Sequence, residues 1–236
     1  MPNYQKLFSD KSTFFCFTPL VSLATFFIEI MLALFVLYRY GFNKFSRIAI
    51  LILVLLGVFQ LAEYMMCMGG NGQLWSKVGT SAIAILPVSA LHLTTMLTRK
   101  SLWTEIGYFL GFLIIGAIFF LEVPILPQCT GNFVELKFST TFDILFNLYY
   151  ALFLFIALEM IIRTWRSHRG NNSQLFWALM IYASFLVPTA VVYILITSSR
   201  SGIPSIMCGF AVIGAIILVF KELPLIFNKK SGKKKK

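Results

Sequence analysis

Residues 48–68, IAILILVLLGVFQLAEYMMCM, decide the fold, and Glu63 is the only Asp, Glu, Lys, Arg or His among them. A helix needs about 20 mostly apolar residues to cross a hydrocarbon core of about 30 Å, so this stretch is long enough for one crossing. It lacks the strict alternation of a membrane β-barrel strand, and backbone groups in lipid must bond within their own segment. We therefore predict an all-α membrane protein.

Six further segments share this length and composition and are separated by short polar breaks. The seven predicted spans are Phe14–Tyr38, Ile48–Met68, Trp75–Leu97, Trp103–Glu122, Thr141–Ile162, Gln174–Ile196 and Pro204–Phe220. The chain of 236 residues is 58% hydrophobic and 12% charged, which leaves too little polar surface for a soluble domain. We expect one seven-transmembrane-helix bundle over residues 1–227 and a basic tail over residues 228–236.

The net charge of +11 is distributed unevenly between the two sides of this bundle. One side carries Lys6, Lys11, Lys77, Lys137 and Arg200, and the other carries Arg39, Lys44, Arg47, Arg99, Lys100, Arg163, Arg166, Arg169, Lys221, Lys229, Lys230 and Lys233–Lys236. Because basic loops stay in the cytoplasm, the N-terminus should lie outside and the C-terminus in the cytoplasm. The charge then indicates membrane topology rather than nucleic-acid binding.

All four cysteines fall in the predicted outer half of the bundle or in the external loop Val123–Thr140. In an oxidising compartment, the depths of Cys67 and Cys129 and those of Cys16 and Cys208 favour these two disulfides. Alternatively, Cys16 and Cys208 are small buried apolar residues. No cysteine or histidine spacing is typical of a zinc site, so we expect no metal and no cofactor.

Three polar side chains lie close together on the second span. Gln60 and Glu63 are three residues apart and share a helix face, with Tyr64 beside them. They predict a ligand pocket in the outer half, among the second, third, sixth and seventh helices. The alternative is a hydrogen-bond clamp that holds the helices together.

Ionisable groups within the first, third and fifth spans form a second set. Glu29 and His92 lie at similar depth by residue counting, and a contact between them would suit a proton relay or a pH-sensitive contact. Alternatively, His92 is a satisfied interior histidine that bonds a serine or a backbone carbonyl. Glu159 lies one turn before Arg163 and should pair with it or extend to the interface.

Pro87 and Pro188 interrupt the third and sixth spans near their middles. Each frees a backbone carbonyl and should kink its helix. The kinks would serve as hinges, or the prolines serve packing alone.

Residue counts argue against several chemistries of seven-helix proteins. A retinal pigment needs a lysine deep in the seventh helix, whereas Lys221 lies at the end of that span. A zinc-dependent hydrolase needs three ligands, and His92 is the only histidine within a span. We do not expect an enzyme.

Two parts of the chain carry a resemblance to a known family. Residues 74–79 (LWSKVG), 84–87 (AILP) and 90–93 (ALHL) resemble the third helix of the seven-transmembrane input domains found ahead of bacterial histidine kinases and diguanylate cyclases. Residues 201–204 (SGIP) and 219–224 (VFKELP) resemble that family's last helix and its exit into the cytoplasm. The resemblance implies a sensor. No kinase or cyclase sequence follows Pro224, so we expect the signal to pass to a separate protein.

A second resemblance brings no activity. Residues 16–18 (CFT) with Ser22, residues 59–63 (FQLAE) and residues 205–208 (SIMC) are similar to an uncharacterised bacterial family of multi-pass membrane proteins.

These observations favour a receptor-like membrane protein that binds a small or lipid-like amphiphilic ligand and signals to a membrane or cytoplasmic partner. The alternatives are a proton-coupled transporter that uses Glu29, Glu63 and His92, and a non-catalytic subunit of a membrane complex. We expect the bacterial inner membrane. Lys233–Lys236 would resemble a dilysine retrieval signal in a eukaryotic cell and would then indicate the endoplasmic reticulum.

Overall fold

The computed structural model describes residues 19–98, 101–121, 123–129, 134–167, 172–195 and 202–227. Within these ranges, seven helices are long and apolar enough to cross a membrane, which confirms the predicted helical bundle. They are α1 Pro19–Tyr40, α2 Lys44–Cys67, α3 Gly72–Leu97, α4 Leu102–Phe120, α5 Thr140–Arg166, α6 Asn172–Leu195 and α7, which begins at Ile203. The span that contains α7 extends to Phe227.

Side-chain caps explain why α2 and α3 begin earlier than predicted. The Asn43 side chain accepts hydrogen bonds from the backbone N–H groups of Phe45 and Ser46, and the Asn71 side chain accepts one from Leu74. An N-cap side chain satisfies donors that have no partner within the helix. Polar residues such as Lys44 are thereby included in the helices, although hydropathy alone places them outside.

The third helix is the centre of the bundle. About two thirds of its most apolar window is buried (67%), against 22% for α4 and 17% for α6. It packs against α2, α4, α5 and α6, whereas α7 packs against α1, α2 and α6. The outer faces of α4 and α6 expose apolar side chains such as Phe109, Phe112 and Ile194. Such a surface suits contact with lipid chains.

Two glycines let α4 approach its neighbours closely. A Cβ atom on Gly107 would lie 2.7 Å from Phe153, and one on Gly111 would lie 2.9 Å from the Tyr149 hydroxyl. Small residues four apart on one face are typical of tightly packed membrane helices.

A β-hairpin closes one end of the bundle, where the sequence indicated only a loop. β1 (Leu126–Cys129) pairs antiparallel with β2 (Val134–Lys137), and Val134 is buried against Ala62 and Met66 of α2. A disulfide joins Cys67, the last residue of α2, to Cys129. We call this the hairpin end, and the opposite end, where α7 finishes, the tail end.

The last helix continues further than predicted. After Ile217 a wider, π-helical turn runs from Leu218 to Glu222, and a final helical turn follows over residues 223–227. The N–H of Leu223 donates to the carbonyl of Leu218, five residues earlier. Pro224 has no N–H to donate, and a local π turn is one way for a membrane helix to accommodate a proline. The predicted end at Phe220 is therefore wrong.

Candidate functional site

A cluster of buried polar side chains lies where α1, α2 and α7 meet in the hairpin half. Glu29, Gln60 and Glu63 are almost fully buried, with 0%, 2% and 3% of their surface exposed. The Ser22 hydroxyl donates to Glu63 Oε2 at 3.3 Å, and Ser205 of α7 lies close to the same carboxyl. Gln60 and Glu63 thus share an inward face, as their spacing indicates.

Among the described residues, the two carboxyl groups of this polar cluster have no cationic partner. Glu29 and Glu63 are close enough to interact electrostatically. Both carboxyl oxygens of Glu29, Oε1 of Glu63 and Nε2 of Gln60 accept or donate no hydrogen bond. In the part of the chain that the structure describes, the ion pairs are Lys137–Glu135 and Arg163–Glu159. The Arg163–Glu159 ion pair is the one predicted from the spacing of four residues on α5.

His92 contacts Tyr108 of α4, which favours the second of the two interpretations of this histidine. The imidazole Nδ1 is 3.1 Å from the Tyr108 hydroxyl of α4, and the two rings meet edge to face. His92 is a satisfied interior histidine, although its partner is a phenol rather than the serine or carbonyl considered above. Tyr64 is half-buried.

An elongated cavity lies between α2, α3, α5, α6 and α7. The cavity has a volume of about 80 Å³. Apolar side chains such as Ile52, Leu56 and Leu93 form most of the wall. The cavity reaches from Cys208 to Glu222, which are 14 residues apart on α7, or about 21 Å along a helix.

The cavity lies among the four helices named for the predicted pocket together with α5, but the side chains predicted for that pocket are not in its wall. Glu29, Gln60, Glu63, Tyr64 and His92 do not line the cavity. Gln60 and Glu63 face α1 and α7, because α1 packs along α2 on that side. Cys208 connects the two regions, since it lines the cavity and interacts electrostatically with Glu63 and Glu29.

The few polar groups of the cavity wall lie mainly towards the tail end. The Thr94 and Tyr182 hydroxyls are 3.1 Å apart and bond each other, and both residues line the cavity. Glu222 also lines it, is fully buried and has no hydrogen-bond partner for either carboxyl oxygen. Sequence analysis missed Glu222, because Lys221 and Pro224 made this segment look like an exit into water. The apolar residues Leu223, Leu225 and Ile226 were the available signal.

The two prolines occupy different environments. Pro87 is buried and lines the cavity, while Pro188 of α6 is half-buried. Pro87 deprives the carbonyl of Ile83 of its helical donor, and the Tyr149 hydroxyl donates to the neighbouring carbonyl of Ala84 at 2.7 Å. The hinge role of both prolines stays a prediction.

Of the cysteines, Cys67 and Cys129 form the disulfide, and Cys208 is a buried free thiol. Cys16 lies outside the described residues. Of the two interpretations of Cys208, the structure supports a small buried residue.

The described residues contain no group of three or more His, Cys, Asp or Glu side chains that could hold a metal ion. No protein-family model matches the chain, and no curated protein is significantly similar to it.

Proposed function

We propose that this multi-pass membrane protein is receptor-like and binds a single-chain amphiphile in the cavity between α2, α3, α5, α6 and α7. The observation that carries the proposal is the cavity itself, whose wall is formed mainly by apolar side chains of five helices. Pockets for small molecules are typically apolar with a few placed polar groups. The lining residues Cys208 and Glu222 are about 21 Å apart along α7, and an apolar wall of this length suits an alkyl chain.

The cavity also suggests how binding is coupled to shape. Five helices contribute to its wall, and Pro87 lies in that wall at the place where α3 loses a helical hydrogen bond. A chain that fills the space would favour one packing of these helices over another. The signal then passes to a separate protein, as the resemblance to bacterial sensor domains implies.

The orientation belongs to the same proposal. The hairpin end faces the outside of a bacterial inner membrane, where the Cys67–Cys129 disulfide is stable, and the basic tail end faces the cytoplasm. The endoplasmic reticulum is the alternative membrane and also supports a disulfide. Reporter domains fused to the two chain ends should appear in different compartments, and detection of both in one compartment would contradict this topology.

The binding experiment uses the protein in lipid nanodiscs and hexadecanol that carries a photoreactive diazirine in its chain. We expect saturable labelling of α6 and α7 that excess unlabelled hexadecanol prevents. Ala90→Phe or Ala211→Phe places a ring in the cavity wall and should reduce labelling several-fold, whereas Ile216→Phe on the exposed face of α7 should not. Equal labelling of all four proteins would refute binding in the cavity.

A proton-coupled transporter is the second candidate, and Glu29 and Glu63 favour it. Unpaired carboxyls within a membrane bundle are expensive and are typical of proton or ion pathways. His92 is no part of this relay, since it bonds Tyr108. Proton flux into liposomes that Glu29→Gln and Glu63→Gln abolish, while both variants remain folded, would favour transport over binding alone.

A further inference from the structure

A groove with a volume of about 400 Å³ lies on the outer surface of the bundle, between α5, α6 and α7. One wall is a single face of α5, because its residues recur at intervals of three and four: Asn147, Tyr150, Ala151, Leu154, Phe155 and Leu158. Asn147 and Leu158 are 11 residues apart, so the groove follows α5 for about 16 Å.

The surroundings of this α5 groove are those of a surface that contacts lipid chains. The neighbouring side chains Leu148, Leu152 and Phe155 are large, apolar and exposed on a membrane-spanning helix. The length of about 16 Å is close to half of a hydrocarbon core of about 30 Å. Asn147 lies seven residues from Thr140, where α5 begins at the hairpin end. The α5 groove therefore matches one chain of the leaflet on the hairpin side.

The α5 groove adjoins the cavity of the proposed function. Tyr150, Leu154 and Met207 line both spaces. Within the described residues, α5 packs closely against α3 and α6 but not against α7. A methionine side chain is flexible and adapts to irregular gaps, so Met207 can move while the helices stay in place. The wall between the groove and the cavity is thus thin and adaptable.

The sizes of the two spaces decide how an alkyl chain is divided between them. An apolar cavity of about 150 Å³ holds one benzene molecule. The cavity here has about 80 Å³, so it encloses only one end of a long chain. The greater part of the ligand must lie outside it, and the adjoining α5 groove of about 400 Å³ is the space that continues it.

Asn147 supplies an accessible polar group at the hairpin-side end of the α5 groove. Its Nδ2 donates to the backbone carbonyl of Asp143 at 2.9 Å and to Oδ1 of Asp143 at 3.0 Å. Both amide donors are used in this way, and the amide oxygen remains as an acceptor on an exposed residue. A head group with an O–H donor complements this oxygen. A neutral hydroxyl is also the donor that costs least to bring to this depth, since it carries no charge.

We infer that the ligand comes from the bilayer through the side of the bundle and is a single-chain lipid with a hydroxyl head group. The hydroxyl donates to the amide oxygen of Asn147, the chain lies in the α5 groove, and its far end enters the cavity past Leu154 and Met207. This inference rests on the proposed function, since it names the head-group site and the route of entry for the ligand of the same cavity.

Two photoreactive forms of hexadecanol test this position in the wild-type protein in lipid nanodiscs. One carries the diazirine beside the hydroxyl and the other carries it at the end of the chain. We expect the first to label α5 near Asn147 and the second to label the cavity wall on α6 and α7, and excess unlabelled hexadecanol should prevent both. Saturable labelling of α6 and α7 without labelling of α5 would overturn the inference and leave the proposed function standing. Absence of any saturable labelling would overturn both.

Ala151→Phe tests the α5 groove itself, because it places a ring in the groove wall on an exposed part of α5. We expect labelling near Asn147 to fall several-fold. Ala190→Phe on the exposed face of α6 is the matched control and should label as the wild type does, because Ala190 lines neither the groove nor the cavity. Equal labelling of Ala151→Phe and Ala190→Phe would overturn the inference.

Competition by hexadecanol and by its methyl ether tests the head group, since the two share a chain and only the alcohol has a donor. At equal mole fraction in the bilayer, the alcohol should prevent labelling at about one fifth of the concentration of the ether, as one hydrogen bond implies. Asn147→Leu should abolish this advantage and leave competition by the ether unchanged. Equal competition by alcohol and ether in the wild type, or an advantage that persists in Asn147→Leu, would overturn the assignment of the hydroxyl to Asn147.

Discussion

The two ends of the bundle each contain a buried glutamate, and the two side chains differ in their hydrogen-bond partners. At the hairpin end, Glu63 is buried, accepts a hydrogen bond from Ser22 and lies close to Ser205. At the tail end, Glu222 has no hydrogen-bond partner and borders a cavity. The Glu63 carboxyl thus has a hydrogen-bond donor beside it, whereas the Glu222 carboxyl has none among the described residues. The predictions below test this difference, from the largest effect to the smallest.

Removal of the Cys67–Cys129 disulfide should cause the largest loss of stability. The two residues are 62 positions apart, and loss of such a native cross-link typically costs about 2–5 kcal/mol. We expect Cys67→Ser with Cys129→Ser to lower the melting temperature in detergent as much as reduction lowers that of the wild type. Cys208→Ser, which removes a free thiol, is the control and should keep its sensitivity to reductant. A wild type whose melting is unaffected by reductant would show that the disulfide does not stabilise the hairpin end.

Leucine in place of each glutamate compares the two ends directly. Glu222→Leu removes a carboxyl that has no hydrogen bond, so unfolding of the empty protein should require about 1–3 kcal/mol more free energy. Glu63→Leu also removes the acceptor of the Ser22 hydroxyl, so its gain should be about 1 kcal/mol smaller, or become a loss. Melting temperatures of both variants under one set of conditions measure this difference. A greater gain from Glu63→Leu would reverse the comparison.

The sequence predicts depth in the membrane better than it predicts which way a side chain faces. Hydrocarbon thickness constrains the length of each span, and for that reason all seven helices and the pairing of Cys67 with Cys129 follow from residue counting. Glu29 and His92 have similar depth, yet His92 faces α4 while Glu29 lies close to Glu63. Rotation of a helix about its axis depends on packing with its neighbours, which residue counting does not describe.

Glu222 escaped prediction for a different reason. Hydropathy treats Lys221, Glu222 and Pro224 as a polar end, whereas the helix passes through them by means of a π turn. The turn is a local change in the backbone hydrogen-bond pattern, and hydropathy averaged over a window of residues does not detect it. The burial of Glu222 beside the cavity therefore had to be found from the structure.

Two tyrosines that hydrogen-bond to α3, Tyr149 and Tyr182, should differ in how much they contribute to stability. Tyr149→Phe leaves the backbone carbonyl of Ala84 without its second donor beside Pro87 and should cost about 1 kcal/mol. Tyr182→Phe leaves the Thr94 hydroxyl free to bond its own helix backbone, so the loss should be nearer 0.6 kcal/mol, about the average for hydrogen bonds between membrane helices. Thermal unfolding of both variants provides the measurement. A larger loss from Tyr182→Phe would mean that the wall of the cavity is packed as firmly as the centre of the bundle.

The surface pair Glu159–Arg163 should contribute least, although it also lies towards the tail end. The two side chains are four residues apart on α5 and largely accessible, so solvent and salt screen their attraction. Glu159→Ala, Arg163→Ala and the double variant should give a coupling free energy of about 0.3–0.5 kcal/mol that falls as salt is added. A coupling well above this, or one that salt does not reduce, would indicate that this face is shielded from water. The comparison with Glu222 would then fail, because the paired carboxyl of Glu159 and the unpaired carboxyl of Glu222 would both be shielded from water.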